Sequence, residues 1–260
     1  MLPTDGPTAV NSLPSNEFKK ALASGRHLIG LWCNFAYLPS VECVAHSGFD
    51  WLLLDMEVCA TLAPFADPCP FRRSGLRCTQ VIYLQHTQSN LDVISTQLVA
   101  LRTSPSAAVV RVPYNDIAFI KRVLDAGTTN LMIPNIRNAA EAREAVSFTR
   151  YPPEGVRGVA GGTRATGFTR YTDYFARAND EIALILQIES REALDDLEGI
   201  CGVSGVDAVF IGPADLAASL GHRGNAGHAE VQAAISKAIV ISKAAGKPIG
   251  ILTVDGKGEP

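Results

Sequence analysis

No stretch of this chain is apolar for long enough to span a bilayer; no run reaches the roughly 18 residues that such a helix needs. An excess of charge of one sign is also missing. Lysine and arginine total 23 against 26 aspartates and glutamates, a net charge of -3 at pH 7. That balance offers no basic face for a nucleic acid or an anionic membrane, so neither is expected as a partner. The six cysteines (Cys33, Cys43, Cys59, Cys69, Cys78 and Cys201) include no CxxC pair and no histidine at metal-binding spacing. This argues against a disulfide framework or a zinc motif and for a reduced, cytoplasmic setting. The opening Met1-Leu2-Pro3-Thr4-Asp5-Gly6-Pro7 is polar and turn-rich, unlike a secretory signal. No GxGxxG loop follows the first strand-like run, which counts against a dinucleotide-binding fold.

What the chain does have is 260 residues, 47% of them hydrophobic, enough for one large core in a single domain over residues 1–260. Strand-like runs cover 28–35, 49–57, 107–113, 130–136, 182–189, 206–212 and 248–254. Helix-like patterns lie at 16–24, 40–46, 91–102, 117–125, 139–150, 191–198 and 229–245. Strands rich in Leu, Ile and Val, each followed by a helix, predict a parallel sheet covered by helices. The fold expected is a (β/α)8 TIM barrel lacking its eighth βα unit, because the chain runs out in Asp-Gly-Lys-Gly-Glu-Pro after Leu252. Residues 58–85 break the pattern: they hold three of the cysteines and show neither helical nor strand period. Irregular loops beyond about 12–15 residues are uncommon in compact domains.

Four strand ends carry groups able to do chemistry: Glu57, Arg111, Glu189 and, just past its strand, Asp215. In a barrel such ends converge on one mouth. Glu189 and Asp215 offer hard oxygen ligands suited to a divalent cation, Mg2+ or Mn2+. Gln187 faces the same side of its strand as Glu189, since side chains alternate. The turn Gly212-Pro213-Ala214-Asp215-Leu216 leads from strand to helix, and its free N–H groups, those around Gly212 and Ala214, suit a substrate carboxylate. Arg111 can steady a keto or enolate oxygen, and Trp32 and Leu252 can line the pocket.

Several segments together resemble the HpcH/HpaI aldolase family. They are Ile29-Gly30-Leu31-Trp32, the run Gly48 to Asp55, Val110-Arg111-Val112-Pro113, the run Arg150 to Gly158, Gln187-Ile188-Glu189 and Phe210 to Leu216. The resemblance implies a metal held by Glu189 and Asp215, Arg111 on the keto oxygen, and the turn at Gly212–Asp215 on the carboxylate. It implies reversible aldol cleavage of hydroxy-2-oxo acids to pyruvate and an aldehyde, through an enolate stabilised by metal and Arg111. A homo-oligomer, commonly a hexamer with an exchanged C-terminal helix, follows from the resemblance too. Decarboxylation of oxaloacetate at the same site is the alternative chemistry, and an inactive product is the other. A Schiff-base route would need a lysine at a strand end; Lys247 precedes its strand and Lys121 lies within a helix.

One departure stands out. The family continues Asp-x-Glu with a histidine, its base, whereas Asp55-Met56-Glu57 is followed here by Val58. His86-Thr87-Gln88-Ser89-Asn90-Leu91 then continues as the family does, so removing 58–85 restores Asp-Met-Glu-His. The codon for Val58 begins GT and a CAG codon for Gln85 would close the segment, so 58–85 reads as a translated intron. His86 is the expected base, with Asp125 orienting it.

Overall fold

A computed structural model of the chain describes residues 12–57 and 90–253 in full, and 60–61 and 85–86 as backbone. The remainder of the 58–85 segment, with Cys59, Cys69 and Cys78, lies outside the described residues, as do both chain ends. Seven parallel strands form one sheet in the order β1 (Gly30–Cys33), β2 (Trp51–Asp55), β5 (Ala107–Arg111), β6 (Asn130–Ile133), β7 (Ala183–Ile188), β8 (Ala208–Ile211) and β9 (Ile249–Ile251). A separate antiparallel pair joins β3 (Ala60–Thr61) to β4 (Gln85–His86), with Ala60 opposite His86. The two ends of the anomalous segment are thus brought together.

The sheet is curled. Trp32 on β1 packs its ring 5.7 Å from that of Phe210 on β8, and Trp51 on β2 lies 6.3 Å from the same ring. Strands far apart in the sheet order therefore face each other across a lumen. Sheet order leaves β1 and β9 as the two edges, so the described strands make a barrel-like sheet without closure.

Period-2 alternation divides the core into two layers. Leu52, Leu54, Val110, Leu131, Ile133, Leu184, Leu186, Ile188, Val209 and Ile211 point outward under the helices. Leu53, Val109, Met132, Ala183, Ile185, Ala208 and Phe210 point inward and pack on Phe18 of α1 (Glu17–Ala23), which plugs the end where the strands begin. Asn16 caps α1, accepting from Lys19 N at 3.0 Å, and its amide donates to Asn130 Oδ1 at 2.7 Å and Glu181 O at 2.8 Å. One asparagine thus starts the helix and ties it to β6 and the approach to β7.

The covering helices are α2 (Leu38–Ala45), α3 (Leu91–Ala100), α4 (Ile117–Asp125), α5 (Ala139–Thr149), α7 (Arg191–Asp195), α8 (Leu197–Cys201), α9 (Pro213–Ser219) and α10 (Ala229–Ala244), with a short α6 (Tyr174–Arg177) before β7. The helix expected over 191–198 is divided, because Asp196 turns its carboxylate to accept Ala139 N at 2.6 Å. Among the described residues no helix is long and apolar enough to cross a membrane.

Candidate active site

The inward rows of β2, β5, β7 and β8 begin apolar and finish polar. Leu53 leads to Asp55 and Glu57, Val109 to Arg111, Ile185 to Gln187 and Glu189, and Phe210 to Gly212. Alternation alone carries every one of these finishing positions to the lumen side of the end where the strands stop.

Arg111 is the hub. Its Nε and NH2 donate to the two oxygens of Asp55 at 3.0 and 2.8 Å, a bidentate pair with both partners buried. NH1 lies 2.5 Å from Glu57 Oε2 and 3.4 Å from Gln187 Oε1. The guanidinium sits 4.7 Å over the Trp32 ring, whose Nε1 donates to Asp55 Oδ2 at 3.0 Å. Planar, multiply bonded fixation of this kind orients a guanidinium without leaving it free to swing.

Glu189 is 7% exposed. Its Oε1 accepts from Asn135 N at 2.7 Å, with Asn135 in the left-handed region at φ 53. Its Oε2 is buried with no hydrogen-bond partner among the described residues. Burial pushes this carboxyl up to about 7; the Asn135 N–H opposes that, Glu57 and Asp215 add to it, and Arg111 opposes it. Glu57 is also raised, first by burial and then by Asp55 and Asp215, with Arg111 pulling the other way. Three acids therefore feel one another at one end of the sheet.

Gly212 closes the wall behind them. A Cβ here would stand 2.6 Å from Glu189 Oε2 and 3.1 Å from Gln187 Nε2, so only glycine allows the approach. Pro213 opens α9 at its first turn, where its missing N–H costs nothing, and Asp215 projects from the same turn. Ala214 and Asp215 are exposed; Leu252 lies just past β9 at the same end, also partly exposed.

Two expected residues fare differently. His86 is described as backbone only, paired with Ala60, which lies three residues past Glu57. Asp125 is not at this end. It finishes α4, which runs back from β5 to the start of β6, and there it pairs with Lys121 Nζ at 2.6 Å and Arg157 NH2 at 2.9 Å. Asp55 is the functional residue that sequence reasoning passed over, although it sits two positions before Glu57 on the inward row.

The acid cluster fits a divalent cation on its own terms. A buried, unpartnered carboxylate oxygen facing two further acids is a cost that such an ion removes. His222, His228 and Glu230 form another grouping with metal-type donors. There the His222 and His228 rings stack at 3.6 Å, His222 Nε2 is 2.8 Å from Glu230, and His228 Nδ1 accepts Glu230 N at 3.2 Å, so those donors are engaged in starting α10.

The sequence profile of the HpcH/HpaI aldolase/citrate lyase family matches residues 85–259, beginning one residue before His86. The chain belongs to the HpcH/HpaI aldolase/citrate lyase family. It is 46% identical over 238 residues to a 4-hydroxy-2-oxo-heptane-1,7-dioate aldolase of Shigella sonnei, covering 91% of this chain and 80% of that one. A pyruvate aldolase of Rhizobium etli is 46% identical over 243 residues, 94% of this chain and 85% of its own. Among solved structures, a family protein of Burkholderia cenocepacia J2315 superposes with a TM-score of 0.79 at 36% identity, over 92% of this chain and 85% of that one. Macrophomate synthase shares the fold, with a TM-score of 0.68 at 20% identity over 93% and 77%. Membership places this chain among the metal-dependent carbon–carbon lyases.

Proposed function

We propose that this family member cleaves a 4-hydroxy-2-oxo acid to pyruvate and an aldehyde with the help of a divalent cation, Mg2+ or Mn2+. The observation that carries the reading is Glu189 Oε2, buried without a partner among the described residues and within electrostatic reach of Asp215, Glu57 and Arg111. Glu189 and Asp215 hold the ion, which when bound supplies Lewis acidity to the 2-oxo acid. Arg111, fixed by Asp55 and Trp32, donates to the oxo oxygen and stabilises the negative charge that develops there as the carbon–carbon bond breaks. Gln187 and the turn at Gly212 and Ala214 receive the substrate carboxylate. Trp32 and Leu252 flank the substrate.

His86 takes the proton from the C4 hydroxyl, and its backbone position opposite Ala60 supports this. Ala60 lies three positions past Glu57, a reach of about 11 Å at most. Asp125, which resemblance gives as the group orienting His86, pairs in this structure with Lys121 and Arg157. The curled parallel sheet of seven described strands, alternating with helices, supports a TIM-barrel-like fold. Exposed Ile29, Tyr37 and Val240 support a homo-oligomer, hexameric by resemblance.

The test is pyruvate release from a 4-hydroxy-2-oxo acid and, separately, from oxaloacetate, with Mg2+ and after chelation. Glu189→Gln and Asp215→Asn are each expected to lower kcat/KM on the hydroxy acid at least about 100-fold, some 3 kcal/mol of transition-state stabilisation. Turnover that survives chelation and both substitutions refutes the proposal.

A further inference from the structure

The opposite end of the sheet holds a cavity of about 400 Å³, of the size that takes a small metabolite. Gly127 to Thr129 lead into β6 and Glu181 and Ile182 into β7, so this cavity opens where the strands begin, away from Glu189. Its wall is cationic in a chain of net charge -3. Arg102, Arg157, Arg164 and Arg170 line it against one lining acid, Glu181. That acid is already answered, because Arg177 pairs with it and Asn16 N donates to it at 2.6 Å.

Two polar atoms in the wall lack what they need. Arg157 is 1% exposed; its NH2 donates to Asp125 at 2.9 Å and Tyr174 OH at 3.2 Å, and its guanidinium lies 4.4 Å over the Tyr151 ring. Its Nε is buried without a partner among the described residues. Thr128, 4% exposed, leaves its Oγ1 in the same condition. Buried donors of this kind are ordinarily satisfied; both residues line the cavity, and an acceptor that reaches them would satisfy both. The remaining arginines are arranged rather than loose. Arg170 Nε donates to Gly167 O at 2.7 Å, and the Arg164 stem lies across Gly127, where an added Cβ would meet its Cγ and Cδ at 3.3 Å.

We propose that this cavity binds a small polyanion, bearing carboxylate or phosphate groups, independently of the catalytic end. Guanidinium forks match both anions bidentately, and the unpaired hydroxyl and Nε supply further donors.

Isothermal calorimetry on the full chain without divalent ions, using citrate and inorganic pyrophosphate in turn, tests this. Expected is one saturable site per chain for at least one anion, the lower Kd naming the favoured group. Affinity should fall at least tenfold in an Arg164→Ala/Arg170→Ala double variant and also in Thr128→Val, which removes only the hydroxyl. Glu189→Gln should leave it unchanged. Absence of saturable binding, binding indifferent to both the arginine and threonine changes, or binding lost in Glu189→Gln would each overturn the proposal.

Discussion

Glu189 is kept where its charge is least welcome, and that cost should be measurable. Its carboxyl is raised from 4.5 to about 7, chiefly by burial. A group with a folded pKa above its unfolded value holds its proton more tightly when folded. Its contribution to stability is therefore complete below about pH 4.5 and is lost as pH rises toward 7. Without divalent ions, Glu189→Gln should stabilise the chain at pH 8 by on the order of 1–3 kcal/mol, seen as a higher urea midpoint. The same variant should lose the midpoint increase that Mg2+ gives the parent, since binding only to the folded state is what stabilises it. Equal midpoints with and without the substitution at pH 8 would remove the argument. Gly212→Ala tests the same spot sterically: a Cβ 2.6 Å from Glu189 Oε2 must displace that oxygen. A drop in kcat/KM of at least about tenfold is expected, with the far-ultraviolet circular dichroism unchanged.

Helices set the frame but not the chemistry, and capping separates the two. Asp116 caps α4 by accepting Phe119 N at 2.8 Å, while Ile120, Val123 and Leu124 bury one face of that helix. Asp116→Ala should cost about 1 kcal/mol in thermal or urea unfolding and leave kcat where it was. The strands were legible because buried parallel strands are continuous apolar runs, and the finishing residues Glu57, Arg111, Glu189 and Gly212 follow from counting by twos along them. Asp55 was equally legible by that count, yet it draws notice only once Arg111 is seen gripping it. The divided helix at Asp196 was not legible, because its partner is a backbone N–H on a different element. Asp125 was legible as the end of a helix that returns to the strands' starting end, whereas Arg157, buried against it, is a partner that alternation could not supply.

The sheet as a unit places every proposed group except the base. Its edge strand β9 borders a cavity of about 630 Å³ lined by Phe18, Trp51, Ile185, Phe210 and Ile249. Arg111, Asp55, Gln187 and Glu189 are braced by neighbouring elements of the barrel wall. His86 does depend on it, because residues 58–85 stand between it and β2. Pairing of Ala60 with His86 brings the two ends of the segment side by side. Closing a long connection costs conformational entropy that a direct join avoids. A chain without 58–85 is therefore expected to turn over at least about tenfold faster, a gain of roughly 1.4 kcal/mol in the transition state. Its Mg2+ affinity by calorimetry should match that of the parent, because Glu189 and Asp215 are untouched. Should both rates prove equal while His86→Ala abolishes neither, the proton is removed by some other group and His86 is a bystander.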